Sequence, residues 1–145
     1  MIKICFVCLG NICRSPMAEY IMKDKINKLN LNDIYVESRA TSYEEQGNDM
    51  YPPAKKELDK HNIKYERHTA TRLEKEDYEK FDYFICMEDS NIRGINYIFD
   101  DPDNKVIKLL DKNISDPWYT GNFTNTFNDL DTGIDILINK LFKNK

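Results

Sequence analysis

No apolar stretch of the chain approaches the length of a bilayer span. Its longest runs are short, as in residues 106–110, where Lys108 interrupts the apolar residues, whereas a crossing helix needs about 20. A membrane protein is therefore not expected. The first residues, Met1-Ile2-Lys3-Ile4-Cys5, lack the charged region, long apolar region and small-residue cleavage site of a signal peptide, and this leads to the expectation of a cytoplasmic protein. Positive charge is not in excess: 21 Lys and Arg against 25 Asp and Glu leave a formal net charge of -4. Nucleic acids and anionic lipid surfaces both reward a cationic partner, so neither is expected. Glycine and proline are sparse, at five each, and there is no linker, repeat or low-complexity tract, so residues 1–145 are expected to form one domain. Histidine is scarcer still. Cys5-x-x-Cys8 would be half of a zinc site, but only Cys86, His61 and His68 remain as further ligands and none falls at zinc spacing. No metal or cofactor is expected, and in a reducing cytosol the four cysteines are expected to be thiols.

What the chain does have is enough apolar and aromatic material for a core, at 41% and 12%. A domain of this size buries roughly 68–70% of its unfolded surface. Residues 2–7 are apolar throughout and predict a buried strand. Ser15-Pro16 predicts a helix start, with Ser at the cap and Pro at the first helical position. Ala18, Ile21, Met22, Ile26 and Leu29 continue it at helical spacing. Residues 34–38, 81–87 and 106–110 predict three more strands. The polar stretch 41–51 predicts a surface loop, and Pro52-Pro53 a short helix around Leu58. Glu88-Asp89-Ser90 predicts the cap of a helix running toward Phe99. Phe127, Leu130, Ile134, Leu137, Ile138 and Leu141 mark one face of a C-terminal helix. Strands that alternate with helices predict a single-domain, doubly wound, Rossmann-like α/β fold: a four-stranded parallel sheet with helices on both faces. Such sheets bind ligands at the carboxyl ends of their strands, near the point where the strand order reverses.

The segment at the end of the first strand reads Cys8-Leu9-Gly10-Asn11-Ile12-Cys13-Arg14-Ser15-Pro16. A strand-loop-helix turn aims several backbone N–H groups at one point and adds the positive end of the helix dipole. Gly10 permits a tight bend and Asn11 tolerates the left-handed region. Arg14 suits bidentate binding of phosphate oxygens. The same features favour a thiolate at Cys8, and donors that hold a bound dianion also stabilise the charge that develops during phosphoryl transfer. The segment lacks the Gly-Lys-Ser/Thr ending of a nucleotide-binding loop. A plain reading, with Cys8 and Cys13 as buried core thiols, leaves the Gly, Asn, Arg and Ser-Pro of the same nine residues unexplained.

With Val7 before it and Met17-Ala18-Glu19 after it, this segment closely resembles the signature of the low-molecular-weight protein tyrosine phosphatases. The likeness covers nearly the whole chain. It includes Ser38-x-Ala40-Thr41, Lys75-Glu76-Asp77-Tyr78, Phe81-Asp82-Tyr83 running to Met87, and Asp116-Pro117-Trp118-Tyr119, which looks like the family's general-acid loop. The resemblance implies a metal-free hydrolysis of phosphotyrosine in proteins or peptides, inhibited by phosphate and vanadate-like oxyanions, by a monomer or weak dimer. It casts Cys8 as the nucleophile that forms a phosphocysteine, Arg14 as the phosphate ligand and Asp116 as general acid and then general base. Leu9, Gly10, Asn11, Ile12, Cys13 and Ser15 complete the phosphate loop, with Ser15 bonded to the Cys8 sulfur. Asn11 holds the strained backbone with Ser38 and His68 in support. Cys13 corresponds to the second family cysteine, a reversible disulfide partner for Cys8. Without the family, Asp116 would read as a surface Asp-Pro turn, because nothing else selects it among 25 acidic residues; what the residues themselves show is that Pro117 biases it toward an extended backbone.

The chain departs from the family pattern around the cleft. Tyr43 is the nearest counterpart of the wall aromatic, with Tyr51 as the alternative, and Trp118 stands where the family often has Tyr; Trp118 and Tyr119 would line the aryl pocket. Three rival readings share the loop. Arsenate reduction needs a relay of further cysteines, and only Cys86 lies downstream. Protein-arginine phosphatases tend to carry Thr where this chain has Ile12. A phosphate-binding module would leave Cys8 unused.

Overall fold

The apolar run at the N-terminus forms the strand it predicts and extends it by one residue, as β1 (Ile2–Cys8). The computed structural model describes residues 1–142. After β1 come α1 (Arg14–Lys28), β2 (Ile34–Ala40), α2 (Pro52–Lys60), α3 (Asp77–Lys80), β3 (Tyr83–Cys86), α4 (Asp89–Asn96), β4 (Val106–Lys108), α5 (Pro117–Thr120) and α6 (Phe123–Phe142). The four strands are parallel in the order β2-β1-β3-β4. This is the doubly wound sheet expected from the alternation of elements.

Residues 4–8 of β1 are buried without a break, as befits an inner parallel strand covered on both faces. The two-residue period sorts its side chains. Ile4, Phe6 and Cys8 face a core built with Met17, Ile21 and Met22 of α1, Leu58 of α2 and Leu130, Ile134 and Leu137 of α6. Cys5 and Val7 face a second core with Tyr78, Phe84, Cys86, Ile95 and Phe99. Cys5 and Cys8 therefore point to opposite sides of the sheet and do not converge as zinc ligands. Gly133 lets α6 lie close to the chain that follows β4: a Cβ there would sit 2.6 Å from Leu109 Cγ.

Several boundaries differ from the sequence reading. β2 runs two residues further than expected, carrying Ala40 level with Cys8. The third strand loses Phe81 and Asp82, which lead in from α3, and Met87 at its other end, and β4 ends at Lys108. The four-residue helices α3 and α5 are too short to leave a period in the sequence. Ser15 is not a helix cap. The helix begins at Arg14 with Cys13 at the cap position and no capping side chain, so Ser15 and Pro16 both lie in its first turn, where a missing N–H is harmless. The stretch 41–51 is a loop, but a fastened one. Thr41 and Ser42 donate to the Cys8 and Leu9 carbonyls at 3.0 and 3.1 Å, and Tyr51 donates to that of Ile12 at 2.9 Å.

Candidate active site

β1 ends at Cys8 in the middle of the sheet, beside the point where the chain order reverses between β1 and β3. Five residues separate it from α1. The tight turn falls on Asn11, whose φ is 60°; Gly10 is not among the residues with positive φ, so Asn rather than Gly carries the left-handed backbone here. That conformation brings the Asn11 N–H to 3.3 Å from Cys8 Sγ.

The Asn11 side chain is oriented by a donor that cannot change role, the Thr71 N–H, which it accepts through Oδ1 at 3.1 Å. Its Nδ2 therefore donates, to Ser15 Oγ at 2.7 Å and Ser38 Oγ at 2.9 Å. Ser38 in turn donates to Glu19 Oε1 at 2.6 Å, and Lys23 Nζ holds the other Glu19 oxygen, also at 2.6 Å. Ser15 Oγ, which accepts from Asn11, lies 2.9 Å from the Cys8 sulfur. Donation thus runs outward from Asn11, through Ser38 to Glu19 on one side and to Ser15, beside the sulfur, on the other. His68 Nε2 meets the Asn11 carbonyl and Oδ1 at 2.9 and 3.0 Å. Both are acceptors, so that nitrogen carries the hydrogen. Burial keeps the His68 ring below its ordinary pKa, which suits a neutral donor. The network is enclosed: Asn11, Ser15, Ser38, Glu19 and His68 are all buried.

Arg14 is 2% exposed. Its guanidinium donates to the Ile114 carbonyl at 2.9 Å and to Glu88, and reaches Asp116 Oδ2 at 3.4 Å. Burial works against its charge, but Cys8, Asp116 and Glu88 together hold its pKa above the usual value. Glu88 is held in the opposite sense: burial raises it, yet the Ser90 hydroxyl and Arg14 keep its carboxyl below the usual range. Asp116 is extended, as Pro117 requires, and caps α5 by accepting the Trp118 N–H at 3.1 Å through Oδ1. One carboxylate oxygen is spent on the turn and the other faces Arg14.

Cys8, Arg14 and Asp116 line one cavity of about 110 Å³. Leu9, Gly10, Ile12 and Cys13 form its floor and near side, Trp118 and Tyr119 one wall, Glu44 and Glu45 another. Asn11, Ser15, Ser38 and His68 lie beneath it. Tyr43 does not line it. The Tyr43 ring sits under the Arg72 guanidinium, 4.6 Å from its centroid, and its hydroxyl donates to Glu74 at 2.9 Å. Tyr51, the alternative, backs Trp118, with ring centroids 4.6 Å apart, and supports the wall rather than forming it. Sequence reasoning assigned no role at the site to Glu19, Glu44, Glu45 or Glu88, although it did place Glu88 in the cap of α4, where the structure has it. A signal existed for Glu19, which lies one helical turn after Ser15 and so shares its face; nothing local marks Glu44 or Glu45, and the cap signal at Glu88 does not point to Arg14. Burial pushes the thiols of Cys5 and Cys13 up, and that of Cys86 up to about 12, so these three stay protonated near neutral pH.

Fold and cavity together define a class: a doubly wound α/β domain with a cysteine and an arginine lining one small cavity at the end of the central strand. A model of the low molecular weight phosphotyrosine protein phosphatase family matches residues 3–145. A low molecular weight protein-tyrosine-phosphatase, PtpA, of Staphylococcus saprophyticus is 38% identical, over 99% of this chain and 96% of its own. The crystal structure of a low molecular weight protein tyrosine phosphatase from Streptococcus pyogenes superimposes with a TM-score of 0.90 at 34% identity, covering 98% of this chain and 94% of that one. A Drosophila arginine phosphatase also superimposes with a TM-score of 0.90, at 26% identity, over 99% and 100% of the two chains. The chain belongs to the low molecular weight phosphotyrosine protein phosphatase family. It is a cysteine-dependent protein tyrosine phosphatase.

Proposed function

We propose that residues 1–145 act as one catalytic domain in which Cys8 is the nucleophile, Arg14 the phosphate ligand and Asp116 the proton donor. In the first step the Cys8 sulfur forms a bond to phosphorus while the bond from phosphorus to the tyrosyl oxygen breaks. Asp116 gives that oxygen its proton. In the second step a water attacks phosphorus, the P–S bond breaks, and Asp116 takes a proton from the water. The loop amides and the Arg14 guanidinium stabilise the equatorial oxygens in both steps. The Ser15 hydroxyl, directed at the sulfur by Asn11, stabilises the thiolate as it leaves. The observation that carries this reading is the convergence of Cys8, Arg14 and Asp116 on one small cavity, although Arg14 and Asp116 are 102 residues apart in sequence.

Phosphotyrosine in proteins or peptides is the substrate we favour. Ile12 lines the cavity with no hydroxyl for a phosphoramidate. Cys86, the one cysteine downstream of the loop, is fully buried in β3 and does not line the cavity, which makes it a poor relay for arsenate reduction. The test compares a phosphotyrosine peptide, a phosphoarginine peptide and arsenate with glutathione or thioredoxin side by side. Phosphotyrosine should be turned over fastest; a higher kcat/KM on phosphoarginine, or reduction of arsenate, would overturn the choice.

The same reading makes inorganic phosphate and vanadate-like oxyanions competitive inhibitors and places the enzyme in the cytoplasm as a monomer or weak dimer. Among the described residues no helix is long and apolar enough to cross a membrane. Cys13 shares the cavity with Cys8, and we assign it the role of resolving thiol, which converts an oxidised Cys8 into a disulfide before further oxidation. After brief peroxide treatment, a thiol reductant should restore the wild type and leave Cys13→Ser largely inactive. Equal recovery would remove the role.

A further inference from the structure

Glu44 and Glu45 form a wall of the cavity that holds Cys8, and the family signature says nothing about them. Neither pairs with a lysine or arginine among the described residues. Glu44 is exposed and Glu45 half-buried. Glu45 lies over the phosphate loop, since a Cβ on Gly10 would meet its Cγ at 3.4 Å, and its Oε2 accepts from Asn48 Nδ2 at 2.7 Å.

The loop that carries them is fixed rather than loose. Tyr43, just before them, is clamped between Arg72 and Glu74. Just after them, Gln46 Oε1 accepts the Arg72 N–H at 2.8 Å. Gly47, with φ of 87°, donates to the Ala70 carbonyl at 2.8 Å, and Asn48 accepts from the Ala70 N–H at 2.7 Å. Tyr43, missing from the cleft wall, thus anchors the two carboxylates that are there.

On the other side of the phosphate position, a shallower depression shares Leu9, Arg14, Asp116 and Tyr119 with the cavity and adds Glu88. Arg14 is the one Lys or Arg lining either space among the described residues, and it is already faced by Glu88 and Asp116. A phosphotyrosine peptide must bring its dianion past Glu44 and Glu45. Acidic residues beside the phosphotyrosine would add repulsion, whereas a lysine or arginine would meet unpaired carboxylates over Trp118 and Tyr119, which are exposed and offer flat apolar contact.

We propose that Glu44 and Glu45 are specificity-determining residues that select phosphotyrosine sites with lysine or arginine within a few residues and reject sites with acidic flanks. The proposal rests on the tyrosine phosphatase reading. Because these charges sit at a wet rim, their effect acts on encounter and binding, is screened by salt, and is modest per pair.

The test measures kcat/KM on three phosphotyrosine peptides of one length, with flanks of lysine, alanine or glutamate. The wild type at low salt should favour the lysine-flanked over the glutamate-flanked peptide by roughly tenfold, mostly through KM. The ratio should shrink toward one at high salt, where the Debye length falls to about 3 Å. Glu44→Gln with Glu45→Gln should flatten the preference, and the corresponding Lys variants should invert it. The readout is a ratio between peptides, so any general loss of activity in a variant cancels. A wild type that does not discriminate, a ratio indifferent to salt, or Gln variants that retain the wild-type ratio would each overturn the proposal. Failure to turn over any of the three peptides would overturn the tyrosine phosphatase reading and this inference together; turnover of all three at one rate would overturn this inference alone.

Discussion

Cys8→Ser should lose hydrolysis of p-nitrophenyl phosphate by on the order of 10⁴-fold or more, the scale seen when a covalent nucleophile is removed, while still binding inorganic phosphate. The two halves of this expectation come from different parts of the loop. Reaction needs an ionised atom at position 8, and a serine hydroxyl does not ionise near neutral pH even with the Asn11 N–H 3.3 Å and the Ser15 hydroxyl 2.9 Å from that atom. Binding needs the loop amides and Arg14, whose hydrogen-bond partners Ile114, Glu88 and Asp116 do not include the sulfur. Steady-state assay and calorimetric titration of phosphate separate the two. Residual turnover close to the wild type would place the nucleophile elsewhere, and lost phosphate affinity with intact folding would mean that the cradle depends on the sulfur.

Asp116→Asn should lower kcat/KM on a phosphotyrosine peptide by roughly 10²–10⁴-fold, the range for a general acid. The substitution is mild for the structure, because an asparagine oxygen can still accept the Trp118 N–H and cap α5. What disappears is the proton and the charge facing Arg14. The loss should shrink as the leaving group improves, since p-nitrophenolate needs protonation far less than the phenolate of tyrosine. A series of aryl phosphates, followed through kcat/KM because that constant ends with the first P–O cleavage, provides the measurement. A uniform loss across the series would show that Asp116 acts on binding or on Arg14 rather than as the acid. A near-wild-type rate would mean the acid is another group.

The contiguous parts of the molecule could be read from the chain alone. The strand at residues 2–8, the α1 face marked by Ile21 and Met22, and the α6 face from Phe127 to Leu137 each follow from a short-range period that packing then uses. Ser15 shows where such local rules stop: Ser-Pro is a good helix start by local statistics, yet the hydroxyl is engaged by Asn11 and Cys8, and the helix begins two residues earlier than that reading places it. Tyr43 shows it again. An aromatic of the expected kind at nearly the expected place was drawn away by Arg72 and Glu74, residues about thirty positions downstream whose approach no local pattern records.

By itself the sequence determined the loop that we propose holds the phosphate, because Cys8 through Arg14 are adjacent in the chain, between a buried strand and a helix. The tertiary structure alone decided what surrounds that loop. Glu19 holds Ser38, Ser38, His68 and Thr71 hold Asn11, Glu88 and Asp116 flank Arg14, and Glu44 and Glu45 wall the cleft. The physical reason is range. A backbone turn is set by a few neighbouring dihedrals, whereas these side chains meet only after the parallel sheet has brought the ends of distant segments side by side.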